Sequence, residues 1–383
     1  MTARCARRKV FNQPSWIIQS STVQACLTET GGHLGPVTFD RQKRNIQPYH
    51  VAPWHAEKLE PGTPPIIRVL RGDFFCMPFG GNTTPFGREK HPVHGETANQ
   101  RWTLESVTRE GGMTCLHASL KTQIRRGRVD KYIVLADGHN AVYCRHVLSG
   151  MSGPMNLGHH ANLRFPDSPG SGLLSFSPWR FGQVWLEPTE KPEQRGYSIL
   201  RPGAQFKRLD RVPMITGGYA DLSRYPARRG FEDIVHLIAD PRAPIAWTAV
   251  TFPGERFVWF ALKDPRVLNG TLMWMSNGGR HYPPWNGRHV NVMGLEELTS
   301  FFHTGLAESA RPNAHTRRGI PTVLQLDRQR PTVVNYVMAV AAIPAGFDRV
   351  KRIEPDTGQV TLIAASGRRV VVPLDEAFVL SGR

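Results

Sequence analysis

The sequence predicts an all-β protein, built as one large antiparallel β-sandwich with short helices. Short apolar runs recur along the chain and are bounded by Gly, Pro, Asp or Asn, which is the pattern of strands and turns. Very few segments place apolar residues at helical spacing. The 383 residues are enough to bury a sizeable core, and no internal repeat, low-complexity segment or interdomain linker divides them.

Individual strands can be placed by their bounding turn residues. In chain order we predict strands at Ile66–Leu70, Trp102–Val107, Cys115–Leu120, Tyr132–Leu135, Ala141–Val147, Leu173–Phe176 and Val184–Leu186. Further strands are predicted at Ala246–Phe252, Phe257–Leu262, Thr271–Met275, Val290–Met293, Thr332–Ala341, Val350–Ile353, Val360–Ala365 and Val370–Pro373. We expect residues 1–64 to form strands and loops that pack on the sandwich, and residues 65–383 to form the sandwich itself.

Two segments are candidates for helices. The clearest is Glu296–Ser309, where Leu298, Phe301, Phe302 and Leu306 lie near helical spacing. The second is Asp233–Ala239. We expect the chain to close with a hairpin at Asp348–Asp375, because apolar and polar residues alternate there around the turn Asp356-Thr357-Gly358.

The charge balance is strongly basic, with 48 Lys and Arg against 31 Asp and Glu, a formal net charge of +17. Such a charge suits nucleic acid, an anionic surface or an anionic small molecule. The basic residues form short scattered pairs, and no helix-turn-helix, zinc-finger or RNA-recognition motif accompanies them. We therefore expect no nucleic acid partner; an acidic or phosphorylated sugar explains the charge about as well.

The cysteines and the apolar segments bear on location. Five cysteines, far apart and without a Cys-x-x-Cys pair, indicate neither a disulfide framework nor a zinc knuckle. Met1–Gln19 lacks the apolar core of a secretory signal, and the most apolar run, Val337–Phe347, is too short to span a membrane. We expect a cytoplasmic monomer or homodimer without a membrane partner.

The stretch Met275–Glu297 carries a dense set of side chains suited to a ligand. Its Gly- and Pro-rich loop holds Asn277, Arg280, His281, Trp285 and Arg288. An aromatic face can stack on a polar, ring-shaped ligand while charged tips bind its oxygens, and the carboxylate of Glu296 at the end of the stretch is a plausible base. The simpler alternative is an exposed loop whose arginines are solvated.

Five short motifs follow one another between residues 65 and 375. They are Met77–Asn82, similar to Pro-Phe-x-x-Asn-Arg; His94-Gly95 with Trp102, similar to Leu-His-Gly; Pro154–His160, similar to Asn-Leu-x-x-His; Gly230–Asp233, similar to Gly-Phe-Asp-His; and Gly294–Glu296, similar to Leu-Glu-Thr. In this order they resemble motifs of the galactose mutarotase-like superfamily, the aldose 1-epimerases and their relatives. The resemblance implies a β-supersandwich that binds a monosaccharide or sugar derivative in a cleft on one sheet, without a cofactor.

The resemblance also implies roles for single residues. Glu296 matches the catalytic base and His160 the catalytic histidine, while His94, Asn82 and Glu232 match sugar-binding positions. Thr83 stands where the family keeps an arginine, and Arg71 is a candidate substitute. The stretch from Asn277 to Arg288 departs from the galactose enzymes, so the fold carries over better than the named activity.

The chemistry fits these roles. Opening a hemiacetal needs a base for the proton of the anomeric hydroxyl and an acid for the ring oxygen, here Glu296 and His160 acting from opposite sides of one carbon. Each has a plainer explanation: a histidine hydrogen-bonded in the core, and a carboxylate at a helix N-terminus. Glu297 is an alternative base, and Asp233 an alternative to Glu232 as an acceptor of hydroxyl protons.

Other chemistries have weaker support. His91, His94 and Glu96 lie close in sequence, but their spacing lacks the His-x-His pairing of cupin metal sites, and the adjacent His159 and His160 should point to opposite faces of a strand. We expect no metal. Alternatives to an epimerase are a carbohydrate-binding protein on the same fold and a polysaccharide lyase, although Tyr282 is the single tyrosine in the candidate loop to serve a lyase as base.

Overall fold

The computed structural model describes residues 5–382 and is an all-β protein, an antiparallel β-supersandwich with short helices. Its architecture confirms the predicted fold class. Two short α-helices, α1 (Pro65–Val69) and α2 (Leu306–Ala310), accompany the strands. Single 3₁₀ turns lie at Glu96–Ala98, Pro192–Gln194, Leu209–Arg211, Thr316–Arg318 and Glu376–Leu380. Within residues 5–382, no helix is long and apolar enough to cross a membrane.

The first part of the chain forms a four-stranded meander. Its strands are β1 (Ala6–Val10), β2 (Gln13–Gln19), β3 (Gln24–Thr28) and β4 (Leu34–Thr38), paired in that order. Apolar side chains of this sheet, among them Trp16, Ile18 and Val37, join the main hydrophobic core. The meander is therefore packed against the sandwich.

The remaining strands follow in chain order. They are β5 (Phe75–Cys76), β6 (Thr103–Glu110), β7 (Met113–Thr122), β8 (Gly127–Ala136), β9 (Ala141–Ser149), β10 (Gly153–Met155), β11 (Leu157–His159), β12 (Ala161–Arg164), β13 (Gly172–Phe176), β14 (Trp179–Val184), β15 (Gln205–Phe206), β16 (Val212–Pro213), β17 (Tyr219–Ala220) and β18 (Arg224–Tyr225). After these come β19 (Phe231–Ala239), β20 (Ala246–Phe252), β21 (Phe257–Lys263), β22 (Gly270–Asn277), β23 (Val292–Thr299), β24 (Leu324–Leu326), β25 (Thr332–Ala342), β26 (Val350–Asp356), β27 (Gln359–Ala364) and β28 (Arg369–Pro373).

Two large sheets make the sandwich. One, called here the site sheet, has the order β15-β14-β19-β22-β23-β11-β5, with β12 also paired to β23. The other, the back sheet, has the order β18-β13-β20-β21-β25-β9-β8-β7-β6. Side chains of both sheets fill one central core, and a second apolar cluster covers the outer face of the site sheet. The closing hairpin is confirmed, and so is the predicted strand Val370–Pro373, which lies in β28 and pairs with β27.

The register of β23 decides which side chains face outward. Successive side chains on a strand point to opposite faces. Met293 and Leu295 lie in the central core, whereas Leu298 belongs to the outer cluster. Glu296 therefore lies on the outer face with Leu298, and Glu297 points into the space between the sheets.

Several element assignments from the sequence were wrong. Residues 296–299 end strand β23, and the only part of Glu296–Ser309 that is helical lies in α2. Asp233–Ala239 lies within strand β19, and Ile66–Leu70, predicted as a strand, lies mostly in α1. Strand Val290–Met293 begins two residues later, and only the first residue of Val184–Leu186 is in a strand.

Candidate functional site

A pocket of about 180 Å³ opens on the outer face of the site sheet. Its floor comes from neighbouring strands, because Ile234 of β19 pairs with Trp274 of β22, and Leu272 of β22 pairs with Glu296 of β23. The pocket lining consists of Ile66, Ile67, Leu70, Phe74, Gly81, Val93, His94, His160, Ile234, Leu272, Trp274, Arg280, Trp285, Glu296 and His303. The pocket thus combines an aliphatic and aromatic wall with five ionisable side chains.

Glu296 and His160 meet in this pocket. Glu296 Oε1 lies 3.2 Å from His160 Nε2, and both side chains are buried. Burial raises the pKa of Glu296 well above its ordinary value, against a lowering effect of Arg280. Burial also lowers the pKa of His160, and the nearby His94 and His33 lower it further. The two groups lie side by side, not on opposite sides of a ligand, so they can exchange a proton directly.

His160 is held in place from the backbone and from the ring face. Its backbone N–H donates to Asp73 Oδ1, and Asp73 Oδ2 bonds Nδ1 of the adjacent His159. Its ring stacks on Phe74, with centroids 4.5 Å apart, and His33 stacks on Phe74 in turn at 4.1 Å. His160 Nδ1 has no hydrogen-bond partner among the described residues.

Gly294 provides the room in which the pair meets. A Cβ at Gly294 would lie 2.7 Å from Glu296 Oε1, 3.2 Å from the Trp274 ring and 3.3 Å from His160 Cε1. Real side chains essentially never approach Cβ as closely as the first of these distances. The close approach of Glu296 and His160 therefore requires glycine here.

His94 and His303 add two imidazoles to the pocket. The backbone N–H of Gly80 donates to His94 Nδ1 over 3.3 Å, which leaves Nε2 to carry the proton of the neutral ring. Burial lowers the pKa of His94 to about 3 and that of His303 to about 4. Both are neutral near pH 7, so they can each donate and accept hydrogen bonds.

Arg280 lies between two aromatic rings at the edge of the pocket. Its guanidinium carbon is 4.9 Å from the Trp274 ring centre and 4.8 Å from that of Trp285. Its Nε donates to Glu190 Oε1 over 2.8 Å and lies 3.9 Å from Glu232 Oε2. Cation–π contact and two carboxyl neighbours fix this side chain and offset its charge.

Glu232 supports the pocket from below. Its carboxyl oxygens accept hydrogen bonds from Trp274 Nε1 and Ser276 Oγ, each over 2.9 Å. Burial raises the pKa of Glu232 to about 7, against the lowering effect of Arg280. Glu232 is fully buried and absent from the pocket lining, so it orients Trp274 and Arg280.

The structure resembles solved structures that are described as mutarotases or as mutarotase-like proteins. It matches a galactose mutarotase-like protein from Clostridium acetobutylicum over 89% of this chain and 99% of that chain, with a TM-score of 0.58 and 10% identity. A provisionally assigned mutarotase from Salmonella typhimurium matches over 88% and 94%, with a TM-score of 0.57 and 12% identity. A galactose mutarotase related enzyme from Lactobacillus acidophilus matches over 86% and 97%, with a TM-score of 0.52 and 11% identity. No protein-family model and no curated protein matches the sequence.

The chain has the galactose mutarotase-like fold. At 10–12% identity the likeness concerns the fold, so the chemistry has to be argued from the pocket itself. Within this fold, the residues selected from the sequence fall into two groups. The pocket lining includes Glu296, His160, His94, Arg280 and Trp285.

Other residues selected from the sequence hold the backbone. Arg71 is fully buried, and its guanidinium donates to the carbonyls of Val69, Val10 and Phe11, so it does not replace the arginine missing at Thr83. Asn82 bonds the carbonyls of Pro78, Gly80 and Pro92 and accepts from the N–H of Leu306. Asn277 donates to Ala227 O and accepts from the N–H of Asn291.

Three residues of the loop between β22 and β23 also lie outside the pocket lining. Arg288 binds Glu57 through both Nη atoms, at 2.5 and 2.8 Å. His281 packs against Gly287, and Tyr282 is 43% exposed. The tyrosine that a lyase would use as base therefore lies outside the pocket wall.

The two alternative carboxylates face away from the pocket. Glu297 forms a buried ion pair with Lys263 and accepts hydrogen bonds from Thr248 and Thr271 between the sheets. Asp233 accepts from the N–H groups of Ile199 and Leu200. Geometry therefore favours Glu296 over Glu297, and Glu232 over Asp233, as the group on the pocket side.

The candidate metal ligands do not converge. His91 bonds Glu89, and Glu96 accepts from the N–H groups of Gln123 and Ile124. His159 faces Asp73 and Tyr336, on the side opposite to His160. Among residues 5–382, no group of three or more His, Cys, Asp or Glu side chains is arranged to hold a metal ion.

Asp73, Trp274 and His303 were not predicted from the sequence as residues of the site. The need for glycine at position 294 was not predicted either. Asp73 follows Gly72 in an unremarkable loop, and His303 lies in a segment predicted to be helical. The one available signal was Trp274, because this tryptophan lies next to the end of the predicted strand Thr271–Met275, where the polar loop begins.

Proposed function

We propose that this protein interconverts the anomers of a monosaccharide, as an aldose 1-epimerase does. The observation that carries the proposal is the buried pair Glu296–His160, 3.2 Å apart, in a pocket on the outer face of the site sheet. A carboxyl group and an imidazole in contact form an acid–base pair of the kind that ring opening needs. The likeness to mutarotase-related structures supports the fold that this chemistry would use.

The pair holds one exchangeable proton. Because burial raises the pKa of Glu296 and lowers that of His160, the neutral carboxyl and neutral imidazole are favoured before a substrate binds. Moving the proton from Glu296 to His160 gives a carboxylate and an imidazolium. Arg280 lowers the pKa of Glu296 and so favours this ionised form. One proton on two adjacent groups is the number that an anomer exchange requires.

The proposed reaction conserves protons in each direction. Glu296 takes the proton of the anomeric hydroxyl. The bond between the anomeric carbon and the ring oxygen then breaks, and its electron pair goes to the ring oxygen. His160 protonates that oxygen. The product is an open-chain aldehyde. Rotation about the bond next to the carbonyl exposes its other face, and the reverse transfers close the ring as the other anomer.

The pocket favours a neutral sugar over the acidic or phosphorylated sugar that the net charge suggested. Arg280 is the only Arg or Lys among the described lining residues, and Glu190 and Glu232 lie beside it. Arg71 and Arg288 are bound elsewhere. An anionic group would therefore meet an arginine whose charge is already offset.

The test is the exchange rate between the anomeric proton signals of a bound sugar in nuclear magnetic resonance spectra. Replacing either acid–base group, by Glu296→Gln or His160→Gln, should slow the enzyme-catalysed exchange by about two to four orders of magnitude. Because the two groups act as a unit, the double variant should lose far less than the product of the single losses. Sugar affinity, measured by calorimetry, should change little.

Glu255→Gln provides the control. Glu255 is exposed in the turn between β20 and β21 of the back sheet, so its replacement should leave exchange at the wild-type rate. If wild-type protein binds sugars yet exchanges their anomers no faster than buffer, the protein is a carbohydrate-binding protein and the epimerase proposal fails.

A further inference from the structure

We infer that the sugar recognised by this pocket is a deoxy sugar, a monosaccharide in which a hydroxyl group is replaced by hydrogen or ends in a methyl group. The inference rests on the proposed function, because it concerns the ligand of the same pocket. It is carried by the aliphatic side chains in the pocket lining, which stand beside a small number of polar groups.

The aliphatic wall comes from two separate parts of the chain. Ile66, Ile67 and Leu70 come from α1 and the residue that follows it, while Ile234 and Leu272 come from the site sheet. Apart from Ile67, each of these side chains is at most 5% exposed. They offer a ligand no hydrogen-bond donor or acceptor.

The pocket lining holds five ionisable side chains beside the aliphatic ones. His94 and His160 have ring centres 5.1 Å apart, and Glu296 contacts His160. Arg280 affects the pKa of His303, His94 and Glu296, which places these groups within electrostatic range of one another. Two of these groups, Glu296 and His160, are committed to the anomeric hydroxyl and the ring oxygen in the proposed reaction.

The remaining polar groups suit few hydroxyls. A pocket of about 180 Å³ is below the range of roughly 300–1,000 Å³ for sites of drug-sized ligands, so it holds a single ring. A fully hydroxylated hexose would then press at least one hydroxyl against the aliphatic wall, where that hydroxyl loses water without gaining a partner. A hydrogen or methyl group at that position matches the wall.

The expected discrimination is about 10- to 100-fold, because apolar pockets reject an added hydroxyl by no more than about this factor. Three matched sugar pairs test it: L-fucose with L-galactose, L-rhamnose with L-mannose, and 2-deoxy-D-glucose with D-glucose. Dissociation constants come from calorimetry and exchange rates from magnetic resonance. At least one deoxy sugar should bind 10- to 100-fold tighter than its hydroxylated partner.

The outcomes separate the two proposals. Accelerated exchange with equal or tighter binding of the hydroxylated sugar in all three pairs would leave the epimerase intact and overturn the deoxy-sugar inference. Preferential binding of a deoxy sugar without accelerated exchange would sustain the inference and overturn the epimerase. Failure to bind any of the six sugars would overturn both.

A matched pair of variants tests whether the wall is the cause. Ile234→Thr and Ile234→Val give side chains of nearly the same shape, both β-branched and suited to a strand, but only threonine adds a hydroxyl. Ile234→Thr should reduce the preference for the deoxy sugar by about tenfold, and Ile234→Val should preserve it. Equal loss in both variants would show that volume, not polarity, sets the preference, and would contradict the inference. Urea unfolding checks that both variants are folded.

Discussion

At the residue scale, Gly294 sets the distance between the two proposed catalytic groups. A Cβ added at Gly294 would lie 2.7–3.3 Å from Glu296 Oε1, the Trp274 ring and His160 Cε1. Because glycine has no side chain, this space stays free for the two groups. Backbone freedom is not the reason, because Gly294 does not lie among the residues with positive φ. The requirement is close approach of side chains to a backbone.

Gly294→Ala should therefore damage exchange more than folding. The new methyl group must push Glu296 or His160 aside, and a misplacement of about 1 Å can cost about 100-fold in rate. Overpacking should lower the free energy of unfolding by about 1–3 kcal/mol. Exchange rates and urea unfolding measure the two effects.

Gly254→Ala is the matched control for this variant. A Cβ at Gly254 meets no atom of the described residues within 4 Å, and this glycine lies in a turn of the back sheet. It should leave both the exchange rate and the free energy of unfolding near wild type. A Gly294→Ala protein with wild-type exchange would contradict the spacing argument.

The sequence could identify the pair Glu296–His160 but not its supports. Both residues fall in motifs, and acid–base chemistry suits the roles proposed for them. Asp73, which holds the backbone of His160, and His303, which lines the pocket, come from distant segments and share no spacing with the pair. Arg71 and Asn82 show the opposite error, because polar residues near a motif also serve to bind buried carbonyls.

At the element scale, the adjacent residues Glu296 and Glu297 point to opposite faces of strand β23. The strand was mistaken for a helix because the spacing of Leu298, Phe301, Phe302 and Leu306 fits a helix as well as a strand followed by a turn. A similar ambiguity affected β19, where eight of nine residues are buried and no alternation remains to mark a strand. Strands that are bounded by turn residues at both ends, such as β20, were predicted correctly.

Because Glu296 and Glu297 lie on opposite faces of β23, replacing them should lower the free energy of unfolding by different amounts. Glu297 is paired with Lys263 between the sheets, so Glu297→Gln leaves a buried ammonium group without its counter-charge. Removing one partner of a buried pair costs about 3–5 kcal/mol. Glu296→Gln should cost much less, because Glu296 is already favoured in its neutral form. Urea unfolding of both variants measures the difference.

Lys263→Met with Glu297→Leu provides the control. Replacing both partners by apolar residues removes the unpaired charge, so the double variant should be more stable than Glu297→Gln alone. Equal stability of the Glu296→Gln and Glu297→Gln proteins would contradict the assignment of the two faces.

At the scale of the whole molecule, buried histidines dominate the response to pH. Burial lowers the pKa of ten of the fifteen histidines, four of them to between about 3 and 4. They are His33, His50, His94, His139, His146, His160, His236, His289, His303 and His315. Each is neutral in the folded chain and binds a proton when unfolded below about pH 6.5. Their contribution to stability is therefore present above pH 6.5 and lost as the pH falls.

Three buried carboxyl groups act in the opposite direction. Burial raises the pKa of Glu232 and of Asp233 to about 7 and that of Glu296 well above its usual value. Each holds a proton in the folded chain that the unfolded chain has released above about pH 4.5, so its contribution to stability is lost as the pH rises towards 7. Ten histidines against three carboxyl groups leave a net uptake of up to seven protons on unfolding between pH 4.5 and 6.5.

The free energy of unfolding should consequently fall steeply between pH 6.5 and 5, with a limiting slope of up to about 10 kcal/mol per pH unit. This predicts acid unfolding well above the pH at which exposed carboxylates titrate. His146→Phe should make the slope shallower by about 1.4 kcal/mol per pH unit, because His146 stacks on Phe75 and both its ring nitrogens lack hydrogen-bond partners among the described residues. Urea unfolding at half-unit pH steps measures both slopes. A free energy of unfolding that stays level from pH 7 to pH 5 would show that the carboxyl groups balance the histidines and would contradict the prediction.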